Sequence, residues 1–377
     1  MSAPADDRTE AIRQAVRRFA AAELAPHAAR WDREKEFPRQ ALKGLAEMGL
    51  YGVAIKEEWG GAGLDYTSLA VACEEIAAGD CATSTIVAVN NLVAGILAGY
   101  GNDAQKKQFL KPLAGGKMLG AFALTEPQVG SDASAITTRA ERKGNEYVLN
   151  GVKQFITSGK NADVAVVFAV TDKGAGKKGI SAFLVPTSTP GYTVARIEDK
   201  TGQRASDTAQ IVFENCKTDQ LLGGEGAGYR IALANLESGR INVAAQATGV
   251  ARAALEAAIA YSRDRQSMGK HLIEHQAVNF RLADMATQVE AARQLYLHAA
   301  RLRDAGLPCL KEASMAKLFA SEMAEKVCSD AIQIHGGYGY VTDFPVERFW
   351  RDVRVTKIYE GANDIQRLVI GRALEEG

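Results

Sequence analysis

The spacing of apolar residues over the first third of the chain is that of amphipathic helices. Ile12, Val16 and Phe19 recur at intervals of three to four residues. Further segments with this period are 42–48, 67–78 and the more apolar 84–99. A glycine-rich turn at 58–63 separates two of these segments. We therefore predict an N-terminal helical domain over residues 1–120.

Short β-like runs replace the helical period from residue 121. These runs are 147–149, 164–170, 180–185, 192–197 and 209–213. Asn150-Gly151 indicates a hairpin turn after the first run, and no helix of useful length fits between the runs. A small barrel or a sandwich is the natural packing for such strands. We favour an antiparallel β-barrel over residues 121–225.

Long helical segments return after residue 226. They are 227–264, 272–304 and 309–335, followed by shorter ones at 345–357 and 362–375. Three long helices with shorter ones predict a four-helix bundle over residues 226–377. The predicted fold class is thus α+β, with helical, β and helical domains in that order.

Composition and charge exclude several classes of function. The chain has 377 residues, of which 47% are hydrophobic and 24% charged, and Lys+Arg and Asp+Glu balance at 45 each. No overall field therefore attracts nucleic acid or an anionic membrane. The first ten residues are polar, and Asn90 and Asn91 interrupt the apolar segment 86–100, so neither export nor membrane insertion is expected.

The cysteines and histidines indicate no metal centre. Five scattered cysteines have neither an even count nor C-x-x-C spacing, and the five histidines form no H-E-x-x-H motif. This pattern suits a reducing compartment, and we expect a cytoplasmic protein without a metal site.

The segment 174–179 formally matches the dinucleotide fingerprint G-x-G-x-x-G. A strand, 180–185, follows it, so no helix N-terminus is available to hold a diphosphate. We interpret the segment as a basic hairpin loop.

Glu360 is the candidate catalytic carboxylate. It lies between Tyr359 and Gly361, just before Asn363 and Asp364, which are typical of a helix N-terminus. A carboxylate on such a loop-to-helix corner suits proton abstraction, because its position is fixed and apolar surroundings can tune its pKa. The alternative is a surface glutamate that stabilises the helix dipole.

Several motifs occur in order along the whole chain. They are L-T-E-P-Q-V-G-S-D at 124–132, G-V-K-Q-F-I-T-S-G at 151–159, S-R-D-R-Q-S-M-G-K-H-L at 262–272, Q-I-H-G-G-Y-G-Y at 333–340 and Y-E-G-A-N-D-I-Q-R at 359–367. In these motifs and their separations, the chain resembles the acyl-CoA dehydrogenases.

The resemblance implies FAD bound noncovalently between subunits of a homotetramer, and α,β-dehydrogenation of an acyl-CoA thioester to the trans-2-enoyl-CoA. It implies that Glu360 takes the α-proton while the β-hydrogen leaves as hydride to flavin N5, and that electrons pass to an electron-transfer flavoprotein. The implied donors to the thioester oxygen are the backbone N–H of Glu360 and a ribityl hydroxyl of FAD. Burial is expected to raise the pKa of Glu360 towards neutrality.

Glu237 is the rival base. Some members of the family carry the base directly before an arginine of the bundle, but here Gly239 precedes Arg240. The alternative for Glu237 is a surface carboxylate that pairs with Arg240. Arg240 itself is expected near substrate and base, or else in an ion pair of the bundle.

The resemblance also implies the binding residues. The cofactor residues are Phe122, Leu124, Thr125, Gly130, Ser131, Phe155, Thr157, Arg265, Gln333, Gly336, Gly337, Ala362 and Asp364. The substrate residues are Ser131, Glu237, Arg240 and Gly361. The family frequently has Trp at the position of Phe155, and it commonly has Thr or Ser at the position of Ala362. Taken singly, Phe155 and Thr157 are also ordinary strand residues.

Substrate preference has the least support in the sequence. The segment 84–100 is expected to line the acyl pocket and contains no Lys or Arg, which disfavours a free terminal carboxylate. We favour a short-chain acyl-CoA, straight or branched. Alternatives on this fold are an acyl-CoA oxidase, a flavin monooxygenase or a noncatalytic flavin-binding protein; an unrelated helical scaffold is a fourth.

Overall fold

A computed structural model describes residues 7–375 and begins with helices, as predicted. The helices of this part are α1 (Asp7–Phe19), α2 (Ala25–Glu34), α3 (Arg39–Glu47), α4 (Tyr66–Gly79), α5 (Cys81–Tyr100), α6 (Asp103–Gln105) and α7 (Lys111–Ala114). Asp65 and Asp80 begin α4 and α5, because the side chain of each accepts a backbone N–H of the first turn.

Eight strands form one sheet in the middle of the chain. They are β1 (Gly120–Ala123), β2 (Arg139–Lys143), β3 (Glu146–Thr157), β4 (Val164–Val170), β5 (Ile180–Pro186), β6 (Tyr192–Ile197), β7 (Thr208–Thr218) and β8 (Leu221–Leu222). The strand order is β6-β7-β3-β2-β4-β5-β8, and β1 pairs with β4. Because only two residues separate β7 from β8, the sheet curves round as a barrel does.

The expectation of a wholly antiparallel sheet was wrong at strand β4, which pairs in parallel with both β1 and β2; β2 meets it at Arg139 and Val170. β1 runs parallel to β4, with Gly120 opposite Val164. β1 enters the sheet directly from the helical domain rather than from a hairpin, so no antiparallel constraint acts on it.

The hairpin turn predicted at Asn150-Gly151 was also wrong. β3 continues through both residues, and its register with β7 shifts between Leu149 and Gly151, which is a bulge. A Cβ at Gly151 would lie 2.7 Å from Thr138 Cα, so glycine permits this close approach of strands. The hairpin turn lies earlier, between Lys143 and Glu146.

The last part is helical. Its helices are α8 (Gly228–Asp264), α9 (Gln276–Asp304), α10 (Leu310–His335), α11 (Val346–Val353) and α12 (Asn363–Glu375), and a small hairpin of β9 (Gln266–Ser267) and β10 (Lys270–His271) lies between α8 and α9. α10 packs against α8, α9 and α12, which forms the predicted bundle.

The largest hydrophobic core joins the first and last parts of the chain. It contains α4 residues such as Ile76 and bundle residues such as Met285 and Tyr296. A buried ion cluster fixes the same contact: Glu74 accepts hydrogen bonds from Arg293 and Tyr296, and Arg252 of α8 bonds to Glu75. The bundle that carries the site is therefore held by the N-terminal helices as well.

Helix α5 lies between the bundle and the β-sheet. Among residues 7–375 it is the helix long and apolar enough to cross a membrane, but 78% of its most apolar window is buried inside the protein. Its side chains, such as Leu97, share a core with Val166 and Phe168 of β4. Core packing thus accounts for its apolar character.

Candidate active site

Glu360 lies on a tight corner between two helical segments. A 3-10 turn, Arg354–Lys357, precedes it, and α12 begins at Asn363, which confirms the predicted helix start. Glu360 has φ +53° and Gly361 has φ +87°. A left-handed conformation at a non-glycine residue costs of order 1–3 kcal/mol and persists only when the surroundings enforce it. The corner thus aims one carboxylate at a defined place.

The carboxylate of Glu360 points at helix α8. Oε2 is inaccessible to solvent and has no hydrogen-bond partner among residues 7–375, although the residue as a whole is only partly buried. A Cβ built on Gly239 would lie 2.2 Å from this oxygen. The side chain of Glu360 therefore occupies the space that a side chain at position 239 would fill.

Two buried cations face this carboxylate. Burial raises the pKa of Glu360 to about 7, while Arg240 of α8 and Lys317 of α10 oppose the rise. A group with this pKa is part ionised at neutral pH, which is the condition for a general base. The expected rise towards neutrality agrees with this value.

Arg240 is buried, and not all of its hydrogen-bond donors have a partner among the described residues. Its Nη1 lies 3.2 Å from Ser314 Oγ, its Nε has no partner among the described residues, and burial lowers its pKa. The expected pairing of Glu237 with Arg240 was wrong. Glu237 bonds instead to Arg303 Nη1 at 2.8 Å and accepts Cys309 Sγ at 3.1 Å, because the end of α9 lies beside it.

Hydrogen bonds anchor both sides of the corner. The hydroxyl of Tyr359 donates to Gln246 Oε1 at 3.0 Å and lies 3.3 Å from Gln203 Nε2. On the other side, Lys317 Nζ and Gln366 Nε2 both donate to the carbonyl of Gly361, at 2.9 Å and 2.7 Å. Sequence reasoning missed Lys317 and Gln366.

One signal in the sequence points to Lys317. It shares a face of α10 with Ala313, Ala320 and Ala324, and all four side chains are fully buried. A lone lysine at the helical spacing of a small apolar face marks a buried charge. No such signal distinguishes Gln366 from other polar residues near a helix start.

The first set of predicted cofactor residues lies on the middle domain; its members are Phe122, Leu124, Thr125, Gly130, Ser131, Phe155 and Thr157. A buried ion pair joins its two motifs: Lys153 Nζ lies 2.8 Å from Glu126 Oε1 and 2.9 Å from the carbonyl of Leu124. Glu126 also accepts the backbone N–H of Thr137 and Thr138, and its pKa is lowered to about 2, despite the opposing effect of burial, by these partners and Lys153. The 124–132 loop is thus fixed against β3.

The side chains of this first set differ in exposure. Phe155 is 61% exposed with φ +59°, so its ring stands out from β3. Leu124, Thr125 and Thr157 are half-buried, and Gly130 and Ser131 are exposed. Phe122 packs its ring against the core, with its ring centre 5.1 Å from that of Phe168, and its backbone belongs to the pairing of β1 with β4.

The second set lies on the last part of the chain; the set is Arg265, Gln333, Gly336, Gly337, Ala362 and Asp364. Three of its members line a cavity of about 610 Å³ at the ends of α8 and α10. Arg265, Gly336 and Gly337 contribute to its wall, and the guanidinium of Arg265 lies 5.8 Å from the ring centre of Tyr338. Gln333 is exposed on α10 and is not among the lining residues. Ala362 is half-buried beside the corner, and Asp364 is exposed and pairs with Arg367 at 3.3 Å.

These surfaces suit FAD. A Cβ at Gly336 or Gly337 would meet no atom within 4 Å, so the cavity wall leaves room for a group beside Arg265. An arginine fork and open glycines are what a diphosphate requires, and an exposed aromatic such as Phe155 can cover a flavin ring. No group of three or more His, Cys, Asp or Glu able to hold a metal occurs among residues 7–375.

Comparisons with known proteins identify the family. The acyl-CoA dehydrogenase N-terminal, middle and C-terminal domain models match residues 6–117, 121–216 and 226–375. The chain therefore belongs to the acyl-CoA dehydrogenase family. It is a flavoprotein oxidoreductase, and its cofactor is FAD.

Several individual relatives are named as short-chain specific acyl-CoA dehydrogenases. The chain is 48% identical to an acyl-CoA dehydrogenase of Bacillus subtilis (strain 168) over 369 residues, 97% of each chain. It is also 48% identical to the mitochondrial short-chain specific acyl-CoA dehydrogenase of Rattus norvegicus over 362 residues, 95% of this chain and 88% of the relative.

Solved structures agree along the full length. Butyryl-CoA dehydrogenase from Megasphaera elsdenii is 41% identical with TM-score 0.97, covering 100% of both chains. A structure described as the electron transferring flavoprotein of Acidaminococcus fermentans has TM-score 0.98, 44% identity and 100% coverage of both chains. A glutaryl-CoA dehydrogenase from Mycobacterium smegmatis in complex with FADH2 has TM-score 0.94 and 32% identity, covering 99% of this chain and 96% of that one. The predicted fold class and family are thus confirmed.

Proposed function

We propose that this acyl-CoA dehydrogenase oxidises a short-chain acyl-CoA, straight or branched, to the trans-2-enoyl-CoA, with Glu360 as the base that removes the α-proton. The observation that carries the proposal is the buried Oε2 of Glu360, which has no hydrogen-bond partner among the described residues; the pKa of Glu360 is raised to about 7 by burial, and two cations face it. A carboxylate kept free of hydrogen bonds is available to a proton from substrate.

Each residue around Glu360 would have a separate role in the reaction. Glu360 accepts the α-proton, and Arg240 and Lys317 favour the ionised form that can do so. The backbone N–H of Glu360 donates to no acceptor among residues 7–375, which leaves it for the thioester oxygen. Bound FAD supplies the acceptor for the β-hydrogen. Glu237 is the weaker base, since Arg303 and Cys309 already occupy its oxygen.

The predicted FAD residues would hold the cofactor at two places. Leu124, Thr125, Phe155 and Thr157 are assigned to the flavin ring, and Arg265 with Gly336 and Gly337 to the diphosphate and adenosine. These two places lie on different parts of the fold, the middle β-sheet and the ends of α8 and α10, which supports the binding of FAD between two copies of the chain that the resemblance implies. Binding between two copies requires an oligomer, and we propose the homotetramer that the resemblance implies.

A short acyl chain is supported by the relatives named for butyryl-CoA and short-chain substrates. The buried helix α5 carries no Lys or Arg, so a terminal carboxylate would have no partner along it. Gly95 leaves space for an acyl group beside Asn235, whose Oδ1 lies 3.9 Å from a Cβ built on Gly95.

Electrons would pass to an electron-transfer flavoprotein, which the description of one similar structure names. We propose a cytoplasmic location, supported by the bacterial relative and by five buried, unpaired cysteines. The mammalian relatives are named as mitochondrial, so the mitochondrion is the second candidate.

Anaerobic titration of the FAD-loaded protein with acyl-CoAs of different length and branching tests this function. We expect butyryl-CoA or a branched short-chain thioester to bleach the flavin band most rapidly, and glutaryl-CoA to leave it unchanged. Glu360→Gln is expected to keep its yellow FAD and to lose nearly all reduction. Rapid reoxidation of the reduced enzyme by air would instead favour an oxidase.

A further inference from the structure

Lys317 is a fully buried lysine beneath the Glu360 corner. Its neighbours on the same face of α10 are alanines, and the whole residue is inaccessible to solvent. Burying a lysine is costly unless its donors are bonded, so its place here demands a compensating contact.

The contact is with the backbone next to Glu360. Lys317 Nζ lies 2.9 Å from the carbonyl oxygen of Gly361 and 2.9 Å from Asn363 Oδ1. Gln366 Nε2, which is also fully buried, donates to the same Gly361 carbonyl at 2.7 Å and approaches the carbonyl of Glu360 at 3.3 Å. One carbonyl thus receives donors from two helices, α10 and α12.

The two donors act on a strained backbone. Glu360 and Gly361 both have positive φ, so a change of either angle would move the Glu360 carboxylate from its place against Gly239. Donors on the Gly361 carbonyl, which follows both residues, oppose that change, because the peptide plane between Gly361 and Ala362 cannot rotate without breaking both bonds.

We propose that Lys317 and Gln366 are positioning residues of the dehydrogenation reaction: together they hold the Gly361 carbonyl, and with it the Glu360 carboxylate, in the reactive place. This inference rests on the proposed role of Glu360. It assigns to Lys317 a second effect that Gln366 lacks, namely a positive charge facing the base.

The charges around Glu360 define the sign of this second effect. Arg240 faces it from α8 and Lys317 from α10, and Glu237 and Glu322 act on those two cations. Burial lowers the pKa of Lys317 to about 7, so the ammonium is present mainly below that pH. Below that pH the Lys317 ammonium favours the ionised form of Glu360, so its removal is expected to raise the pKa of Glu360.

Two variants separate the two effects. Lys317→Met and Gln366→Met each remove one donor to the same carbonyl, but only the first removes a charge. Lys326→Met is the matched control, since Lys326 is an exposed lysine on the same helix that pairs with Asp330. The measurement is the limiting rate of anaerobic flavin reduction by butyryl-CoA, per bound FAD, as a function of pH.

We expect both variants to retain FAD and to reduce it about tenfold more slowly or worse, because misplacement of a catalytic group by about 1 Å costs about 10²-fold and each variant removes only one of the two donors. Only Lys317→Met is expected to move the acid limb of the rate profile to higher pH. The control is expected to match the wild type in rate and profile.

A wild-type rate in folded Lys317→Met or Gln366→Met would overturn the inference, as would an equal shift of the acid limb in both. If Lys317→Met does not fold, the rate in Gln366→Met decides the matter. Undiminished reduction by Glu360→Gln would instead remove the proposed base itself, which distinguishes failure of the function from failure of this inference.

Discussion

Gly239 leaves no room for a side chain beside the carboxylate of Glu360. A Cβ there would lie 2.2 Å from Oε2 and 2.9 Å from Cδ of Glu360, whereas real Cβ contacts stay beyond 3.0 Å. In Gly239→Ala the carboxylate must therefore retreat by about 0.8 Å or rotate away. The obstructing atoms are the far end of a flexible side chain, so the backbone is not forced to move.

Gly239→Ala is expected to lower the activity of the enzyme without lowering its stability. Alanine is favoured over glycine inside a helix by about 1 kcal/mol, so the melting temperature of Gly239→Ala should be equal to or above that of the wild type. A displacement of the base approaching 1 Å costs about 10²-fold in rate. We thus expect a stable, FAD-loaded enzyme that is reduced about a hundredfold more slowly by butyryl-CoA.

Stopped-flow reduction and thermal melting of the same preparations provide the assay. Gly371→Ala is the control, because a Cβ at Gly371 of α12 meets no atom within 4 Å. If Gly239→Ala reduced its flavin at the rate of the control, the carboxylate would not stand over position 239 in the working enzyme, and the geometry of the site would be refuted.

Three further predictions follow from charges. Arg240→Met should raise the pKa of Glu360, so the acid limb of the reduction profile should move to higher pH, with about tenfold lower rate on that limb per pKa unit; an unmoved limb would place Arg240 outside the site. Glu126→Gln should destabilise the middle domain by about 3–5 kcal/mol at pH 7, since it leaves Lys153 buried and unpaired. Because the pKa of Glu126 is lowered to about 2 when folded, this contribution should be present above pH 4.5 and fade on acidification towards 2, which urea unfolding at several pH values can follow. Arg265→Ala should release FAD more readily on dilution, and unchanged affinity would remove Arg265 from the diphosphate site.

Helical and strand periods were sufficient to predict the architecture. The order of helical, β and helical parts could be predicted because helices and strands bury apolar residues at different periods. Burial alternates along β7, for example, and α5 is apolar over most of its length. The local turn signal at Asn150-Gly151 failed because pairing with β7 continues through it as a bulge, a tertiary effect that two residues cannot reveal.

The site was predicted less completely than the fold. A carboxylate before a helix start was recognisable at Glu360 from its neighbours in sequence. The pairing of Glu237 with Arg303, and the contact of Lys317 with Gly361, join residues far apart in the chain, so no local pattern encodes them. Only the three-dimensional packing of α8, α9 and α10 brings these groups together.

Exchange of the α-hydrogens of butyryl-CoA with D2O, measured by NMR on enzyme whose flavin is already reduced, tests the role of Glu360 most directly. With the hydride acceptor blocked, exchange reports proton abstraction alone. The wild type is expected to exchange these hydrogens and Glu360→Gln to exchange none above the uncatalysed background. Exchange by Glu360→Gln at the wild-type rate would contradict the assignment of Glu360 as the base.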